Sequence, residues 1–265
     1  MRTITLVLIA ALCALWAGVA FPQVDPAAEQ EMVRLVNAER AKAGLAPLTV
    51  DERLTRIARE HSQLQATKHA ISHQFPGEPD VRHRISPTGL RFNYSGENVA
   101  FDVDPPSAHR ELMNSPPHRA NILRPEFNAI GIGVVHAGNE IYVTEDFARR
   151  LPELSPDDAE SAIVRSFAAL RRSVGLRPVP LRSQDGLREL ACQMAKNGRL
   201  ETDIARDIPN VSTVTAWTAT EPQRLPSDLI KLKNTRASGW SLGSCFAPSP
   251  RFPNPVWWNV AVMYF

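Results

Sequence analysis

The sequence predicts an α+β protein in which helices pack on mainly antiparallel sheets. Apolar residues recur at helical spacing early in each half of the chain, glycines stand where those helices should end, and strand-like segments close each half. The 265 residues include 43% hydrophobic residues and 22 prolines. This length suits about two loop-rich globular domains of roughly 100–200 residues each.

The first twenty residues have the layout of a secretory signal peptide. Arg2 precedes an apolar run over residues 6–16, and small residues lead to a plausible cleavage site after Ala20. The run is shorter than the roughly 20 apolar residues that a membrane span needs. We therefore predict a signal peptide over residues 1–20 and a secreted or periplasmic mature chain. A retained N-terminal anchor is the alternative, and it would be the only contact with a membrane.

The charge distribution argues against a nucleic-acid partner. The formal net charge at pH 7 is only +2. The basic residues are scattered and are not interleaved with aromatic residues, whereas nucleic-acid-binding domains carry a basic patch or stripe.

Cleavage would leave two cysteines, Cys192 and Cys245. An even pair in an exported chain permits one disulfide, which we predict between them. Two buried thiols that behave as small apolar groups are the alternative.

The first helix is predicted twice. MVRLVNAERAKAGLAPL at 32–48 aligns without a gap with IVRSFAALRRSVGLRPV at 163–179, and Gly44 and Gly175 end the two helices. The polar, proline-containing stretch between the halves, residues 149–160, is typical of a linker.

A second helix follows in each half. Its apolar positions recur at the same intervals in both copies, and His61 lies on the apolar face where the second copy has Met194. We therefore interpret His61 as a core histidine and not as a ligand. The positions are Leu54, Ile57, Ala58, His61 and Leu64 in the first copy, and Leu187, Leu190, Ala191 and Met194 in the second.

Strands close each half. Residues 128–135 and 140–147 flank HAGN, a natural hairpin turn, and residues 239–246 and 256–265 are the counterpart pair. The pattern predicts two domains, 27–148 and 161–265. The second is predicted to be a degenerate repeat of the first.

Four polar motifs follow one another in the first half: ISHQ around His73, SGENVA around Glu97, SPPHRANIL around His118 and YVTEDF around Glu145. None is a local catalytic signature by itself. With the stretch LVNAERAKAGLAPLTVDERLTRIAREHS they resemble the CAP superfamily, which comprises cysteine-rich secretory proteins, antigen-five allergens and plant pathogenesis-related proteins, and in particular its bacterial secreted branch. The resemblance covers residues 30–147 and implies a three-layer α-β-α sandwich.

The resemblance also implies a cleft lined by two histidines and two glutamates, in which several family members bind a divalent metal through the histidines. His73 and His118 match the histidines, and Glu97 matches the glutamate of the GEN motif. Ser115 stands where the second glutamate is expected. Glu111 is not a substitute, because one helical step changes a side chain's direction by about 100°.

Residue chemistry makes His73 and His118 candidate ligands for zinc or another divalent metal. Glu97 is then a candidate general base toward a zinc-bound water. Structural alternatives are a pairing of Glu97 with His73 or with a tight turn at Gly96. Strand alternation makes Glu145 either a further cleft residue or the partner of a basic group.

The remaining candidates are assigned structural roles. Pro116 and Pro117 should force a sharp turn after a helix and aim His118 into the cleft. Polar residues near this loop and on the first helix are expected to brace it or tie elements together: Arg119, Asn121, Asn37 and Arg40. Four histidines outside the motifs are expected to be solvated: His69, His83, His109 and His136.

The second half keeps the predicted core pattern and loses the cleft, since Thr213 replaces Glu97 and no histidine follows His136. Its four tryptophans, Trp217, Trp240, Trp257 and Trp258, are interpreted as core and strand packing, with a ligand platform as the alternative.

The sequence thus favours an exported protein that binds a small ligand, lipid, glycan or protein partner in the His/Glu cleft, with a divalent metal as an option. The alternatives are a metal-assisted hydrolase of peptide or ester bonds and a structural envelope protein with a vestigial cleft.

Overall fold

The computed structural model describes residues 22–203, 208–234, 236–252 and 254–264. The predicted signal peptide, residues 1–20, lies outside the described residues. Among the helices within the described ranges, none is both long enough and apolar enough to cross a bilayer.

The first half is a mixed α+β unit, which confirms the predicted fold class. Its helices are α1 (Pro26–Lys42), α2 (Glu52–Lys68), α3 (Val81–Ile85), α4 (Pro105–Asn114) and α5 (Pro116–Ile122). Its strands are β1 (Gln23–Val24), β2 (Thr49–Val50), β3 (Phe92–Asp102), β4 (Ala129–Ala137) and β5 (Glu140–Arg150).

These strands form one sheet with the order β1-β4-β5-β3, and β2 also pairs with β4. Phe147 of β5 joins a core cluster with residues of α1 and α4, whereas its neighbour Ala148 packs with residues of α2. Successive strand residues face opposite sides of a sheet. The helices therefore cover both faces, which gives the expected three-layer α-β-α sandwich.

Two glycines of β4 let α2 lie directly on the sheet. A Cβ atom at Gly131 would stand 2.1 Å from the backbone carbon of Leu54, and one at Gly133 would stand 2.4 Å from that of Ala58. Neither approach leaves room for a side chain, so this strand needs glycine at both positions.

The second half repeats the order of elements. Its helices are α6 (Pro156–Arg172), α7 (Leu187–Asn197) and α8 (Ser227–Lys231), and its strands are β6 (Val211–Ala219), β7 (Gly239–Ala247) and β8 (Val256–Tyr264). The strand order β6-β8-β7 corresponds to β3-β5-β4. Cys192 of α7 and Cys245 of β7 form a disulfide.

An equivalent arginine ends the first helix of each half. Arg40 donates from Nε to the carbonyl of Ala46, six residues later, and Arg171 donates from Nε to the carbonyl of Arg177, also six residues later. This shared contact agrees with the predicted tandem repeat. The common descent of the two halves stays a prediction.

Arg91 of the first half contacts the second half. Its guanidinium lies over the rings of Phe246 and Trp257, at 4.5 and 5.2 Å from their centroids, and hydrogen-bonds the carbonyl of Pro152. Cation–π contacts with a desolvated arginine stabilise such a junction.

One sequence expectation is wrong here. His109 is 6% exposed and lies on the buried side of α4, because that helix turns its face toward α1. The predicted break after the helix lies at Ser115, whose backbone is extended. Pro116 and Pro117 follow it in the first turn of α5, since the first helical positions need no backbone donor. The expected burial of His61 and of the four tryptophans is confirmed.

Candidate functional site

Strand β3 lies at the edge of the sheet and carries Glu97 and Asn98. Glu97 stands opposite Asp146 of β5, and Asn98 stands opposite Glu145. Because side chains alternate along a strand, Glu97 and Asp146 point toward the α2 layer, while Asn98 and Glu145 point toward the α1 layer. Gly96 lies within the strand and not in a tight turn.

Both carboxylate oxygens of Glu97 are engaged. His73, from the segment between α2 and α3, places Nδ1 at 2.9 Å from Oε1. Arg84 of α3 donates from Nη2 to Oε2. Glu97 is 7% exposed, so these partners balance a charge that burial alone would make costly.

A buried polar network continues behind Glu97. His61 contacts Glu78 through Nδ1 at 2.6 Å and the carbonyl of Ser72 through Nε2 at 2.8 Å. Arg84 also donates to Glu78, at 3.0 Å. Burial and the charge of Glu97 raise the pKa of Asp146 well above its usual value. The Asp146 carboxyl is fully buried and lies opposite Glu97 in the sheet.

His118 approaches from the other layer. It lies in the first turn of α5, and the centre of its ring is 6.3 Å from that of His73. Asn98 donates from Nδ2 to the carbonyl of His118 at 3.2 Å, and Asn121 donates to Oδ1 of Asn98 at 2.9 Å. The two imidazoles therefore meet around the edge strand, although they are 45 positions apart in the printed sequence.

Glu145 does not line the cleft with His73. It is completely buried beneath Asn98, whose Nδ2 atom donates to Oε2 at 2.9 Å. Burial raises the pKa of Glu145 to about 7, against the lowering effect of the Asn98 hydrogen bond. Its place on the α1 side of the sheet separates it from Glu97, so the expectation of a shared cleft is corrected. The basic-partner alternative is not realised either, since its hydrogen-bond partner is an amide.

The pKa values of the two histidines are shifted in opposite directions. The hydrogen bond and charge of Glu97 raise the pKa of His73 above its usual value, although partial burial and Arg84 oppose this. Burial lowers the pKa of His118, and the nearby charge of His73 lowers it further. His73 thus lies where its charged form is favoured, and His118 lies where its neutral form is favoured.

The residues do not fit a tightly held metal ion. A zinc–nitrogen bond of about 2.0–2.1 Å places tetrahedral imidazole ligands with ring centres about 5 Å apart, closer than the rings of His73 and His118. The Oε2 atom of Glu97 already accepts a hydrogen bond from Arg84, so it is not free to bind a metal ion. Over the residues that the structure describes, no group of three His, Cys, Asp or Glu side chains has metal-binding geometry.

The other predicted residues take peripheral or structural places. Ser115 lies between α4 and α5, and Glu111 is exposed on α4. Asn121 braces the cleft, as expected, by donating to the carbonyl of Glu97 at 3.1 Å. Arg119 is exposed, and its main-chain N–H continues α5 by bonding Ser115. Asn37 exchanges two hydrogen bonds with the main chain of Leu48.

No motif in the sequence pointed to Arg84, Glu78 or Asp146. Asp146 could have been predicted, because strand alternation from Glu145 assigns it to the opposite sheet face, where Glu97 lies. Arg84 and Glu78 had no such signal, since they come from a short helix and the loop before it.

Comparison with known proteins agrees with this architecture. The family model described as CAP, the cysteine-rich secretory protein family, matches residues 33–147. This segment of the chain belongs to the CAP family and is of the bacterial type.

Among individual relatives, the chain is similar to the uncharacterized protein YkwD of Bacillus subtilis, with 39% identity over 119 residues, or 44% of this chain and 46% of that protein. It is also similar to the uncharacterized membrane protein YlbC of the same organism, with 29% identity over 48% of this chain and 36% of that protein. The match thus spans less than half the length of these curated relatives.

A solved structure, an extracellular protein containing a SCP domain from Bacillus anthracis, is 27% identical with a TM-score of 0.42. The match covers 46% of this chain and 40% of that one.

Proposed function

We propose that the CAP domain is a binding module outside the cytoplasm, and that His73 and His118 hold a hydroxyl group of a glycan between them. The observation that carries this proposal is the approach of the two rings to 6.3 Å around the edge of the sheet. A hydroxyl group can accept one hydrogen bond and donate another, so it suits two imidazole rings on opposite sides of it, one as donor and one as acceptor.

Accessibility and charge support a polar, uncharged ligand. The His73 side chain is 58% exposed, so its free ring edge is open to an incoming molecule. Glu97 and Arg84 balance each other next to it, which removes a strong preference for either ion sign. The signal-like residues 1–20 support export.

The other three options from the sequence have weaker support. A zinc ion between the histidines would have only two imidazole ligands, because both oxygens of Glu97 are bonded to His73 and Arg84. A hydrolase would need Glu97 as a free base, yet its two oxygens are bonded to His73 and Arg84. A structural protein with a vestigial cleft predicts no ligand at all.

The test is a binding titration with soluble oligosaccharides such as chitotetraose, cellotetraose and maltotetraose, by calorimetry at pH 7. At least one should bind, and His73→Ala and His118→Ala should each weaken it about tenfold, the loss of roughly one charge-assisted hydrogen bond. His83→Ala is the matched control, because His83 is an exposed histidine outside the cleft.

The outcomes separate the classes. Binding that the His73→Ala/His118→Ala double variant retains would place the ligand elsewhere, and no binding of any of the oligosaccharides would reject the glycan assignment. Turnover of a peptide or ester substrate that disappears in Glu97→Gln would favour the hydrolase.

A further inference from the structure

A second cavity lies at the opposite edge of the CAP domain from β3. It opens along β4, between α1 and α2, and is bounded by the short edge strands β1 and β2. We call it the edge slot. It has an empty volume of about 570 Å³, part of which is open to solvent. Val33 of α1, Val50 of β2 and Ile132 of β4 are apolar residues of its lining, whereas Glu29 and Gln30 of α1 are polar.

Beside the edge slot lies one buried position of β4, Ile132, that neither edge strand pairs. β1 pairs with Val135 and His136, and β2 pairs with Ala129 and Ile130, so neither strand reaches Ile132. The carbonyls of Asn128, Ile130 and Val134 all accept hydrogen bonds from that edge, from Thr49, Asp51 and Asp25. Since main-chain groups alternate in direction along a strand, the N–H and C=O of Ile132 point the same way, toward the slot.

A buried hydroxyl lies beside this position. Thr55 of α2 is 5% exposed, and its Oγ1 atom has no hydrogen-bond partner in the part of the chain that the structure describes. Buried polar atoms are rarely left unpaired, because desolvation without a partner is costly. Thr55 therefore offers a hydrogen bond to whatever enters the slot.

The charged groups around the slot limit which class of ligand it can bind. Glu29 is paired with Arg59, with nitrogen–oxygen distances of 2.8 and 2.5 Å. Glu52 lines the slot, is exposed, and makes no ion pair among the described residues. The residual charge is negative, so an anionic ligand is disfavoured.

We propose that the edge slot binds a small peptide-like amide, of the size of an N-acylated amino-acid amide, by adding it to the sheet at Ile132. One amide group of the ligand pairs with the main chain of Ile132, as in strand addition to a sheet edge. The Thr55 hydroxyl takes a further hydrogen bond, and Val33 and Val50 contact the apolar side chain. This site is separate from the His73–His118 cleft and does not depend on its ligand.

The test is an NMR titration of the labelled protein with N-acetyl-L-valine methylamide. The amide signals of Gly131, Ile132 and Gly133 should shift in a saturable way. The analogue with both amide nitrogens methylated keeps the apolar groups but has no N–H donor, so it should bind at least about threefold more weakly.

Two threonine variants complete the test. Thr55→Val keeps the shape of the side chain and removes the unpaired hydroxyl, so binding should weaken roughly three- to tenfold while the melting temperature stays the same or rises. Thr67→Val on the exposed face of the same helix is the control and should change nothing. No saturable shift at β4, or equal affinity for the methylated analogue, would overturn the proposal. Equal affinity of Thr55→Val would overturn it as well.

Discussion

His73 and Glu97 are joined by a hydrogen bond of 2.9 Å between Nδ1 and Oε1, from a loop to the edge strand of the CAP sheet. Glu97 also accepts from Arg84, so one carboxylate links the loop before α3, the helix α3 and strand β3. This arrangement gives Glu97 an organising role. It raises the pKa of His73, whereas burial and, to a smaller extent, the charge of His73 lower the pKa of His118.

The buried Glu145 should make stability depend on pH. Its folded-state pKa of about 7 lies above the usual 4.5, so the folded state binds the proton more tightly. Protonated Glu145 stabilises the folded state fully below about pH 4.5. As the pH rises through 7, this contribution to the free energy of unfolding, about 3 kcal/mol, is lost. In urea unfolding from pH 4.5 to 8, the Glu145→Gln variant should lack this decrease in the free energy of unfolding. A wild-type slope in that variant would contradict the burial account, and Glu111→Gln on the exposed surface of α4 is the control.

Zinc should bind weakly at the two histidines. Two imidazoles without a third ligand cannot hold zinc as a closed tetrahedral site does. Calorimetry should give a Kd in the micromolar range or weaker, on the order of 10⁻⁶ M, and EDTA should leave the melting temperature unchanged. Nanomolar zinc binding that His73→Ala abolishes would show that the cleft rearranges into a real metal site.

Arg40 should be critical for the stability of the CAP domain. Its guanidinium is 1% exposed and donates to four carbonyls, those of Ala46, Ile122, Arg124 and Phe127. Arg40→Met leaves these acceptors unpaired and should cost at least about 3 kcal/mol in urea unfolding. Arg34→Met, which removes an exposed surface ion pair on the same helix, should cost less than about 0.5 kcal/mol. Similar losses for the two variants would refute this role.

The disulfide should stabilise the second half. Cys192 and Cys245 are 53 residues apart. Cross-linking a loop of this length lowers the conformational entropy of the unfolded chain and so raises its free energy by about 4 kcal/mol. The Cys192→Ser/Cys245→Ser double variant should lose protection from hydrogen exchange in α7 and β7, while β4 and β5 keep theirs. Loss of protection in β4 and β5 as well would show that the two halves unfold as one unit.

Much of the fold was predictable because it depends on local patterns. Gly44 and Gly175 end equivalent helices, and both have positive φ angles that favour glycine. The strand around Ile132 and its partner after HAGN followed from a turn between apolar runs. The approach of His73 and His118 was an expectation from the family resemblance, and the ring distance agrees with it.

What the sequence did not reveal depends on packing. His109 carries no motif, and its burial against α1 follows from how two helices meet. The depth of Glu145 follows from the position of β5 between two other strands. Arg84 reaches Glu97 only because α3 lies next to α2 and β3. Such contacts join residues far apart in the chain, so periodicity cannot assign them.

The most direct test of the cleft is an NMR titration of the histidine rings in the full chain, with assignment through the single histidine variants. We expect His73 to titrate above pH 6.5 and His118 below it, and we expect Glu97→Gln to lower the pKa of His73 toward 6.5. Two rings that titrate together near 6.5, with no response to Glu97→Gln, would contradict the proposed donor–acceptor pair.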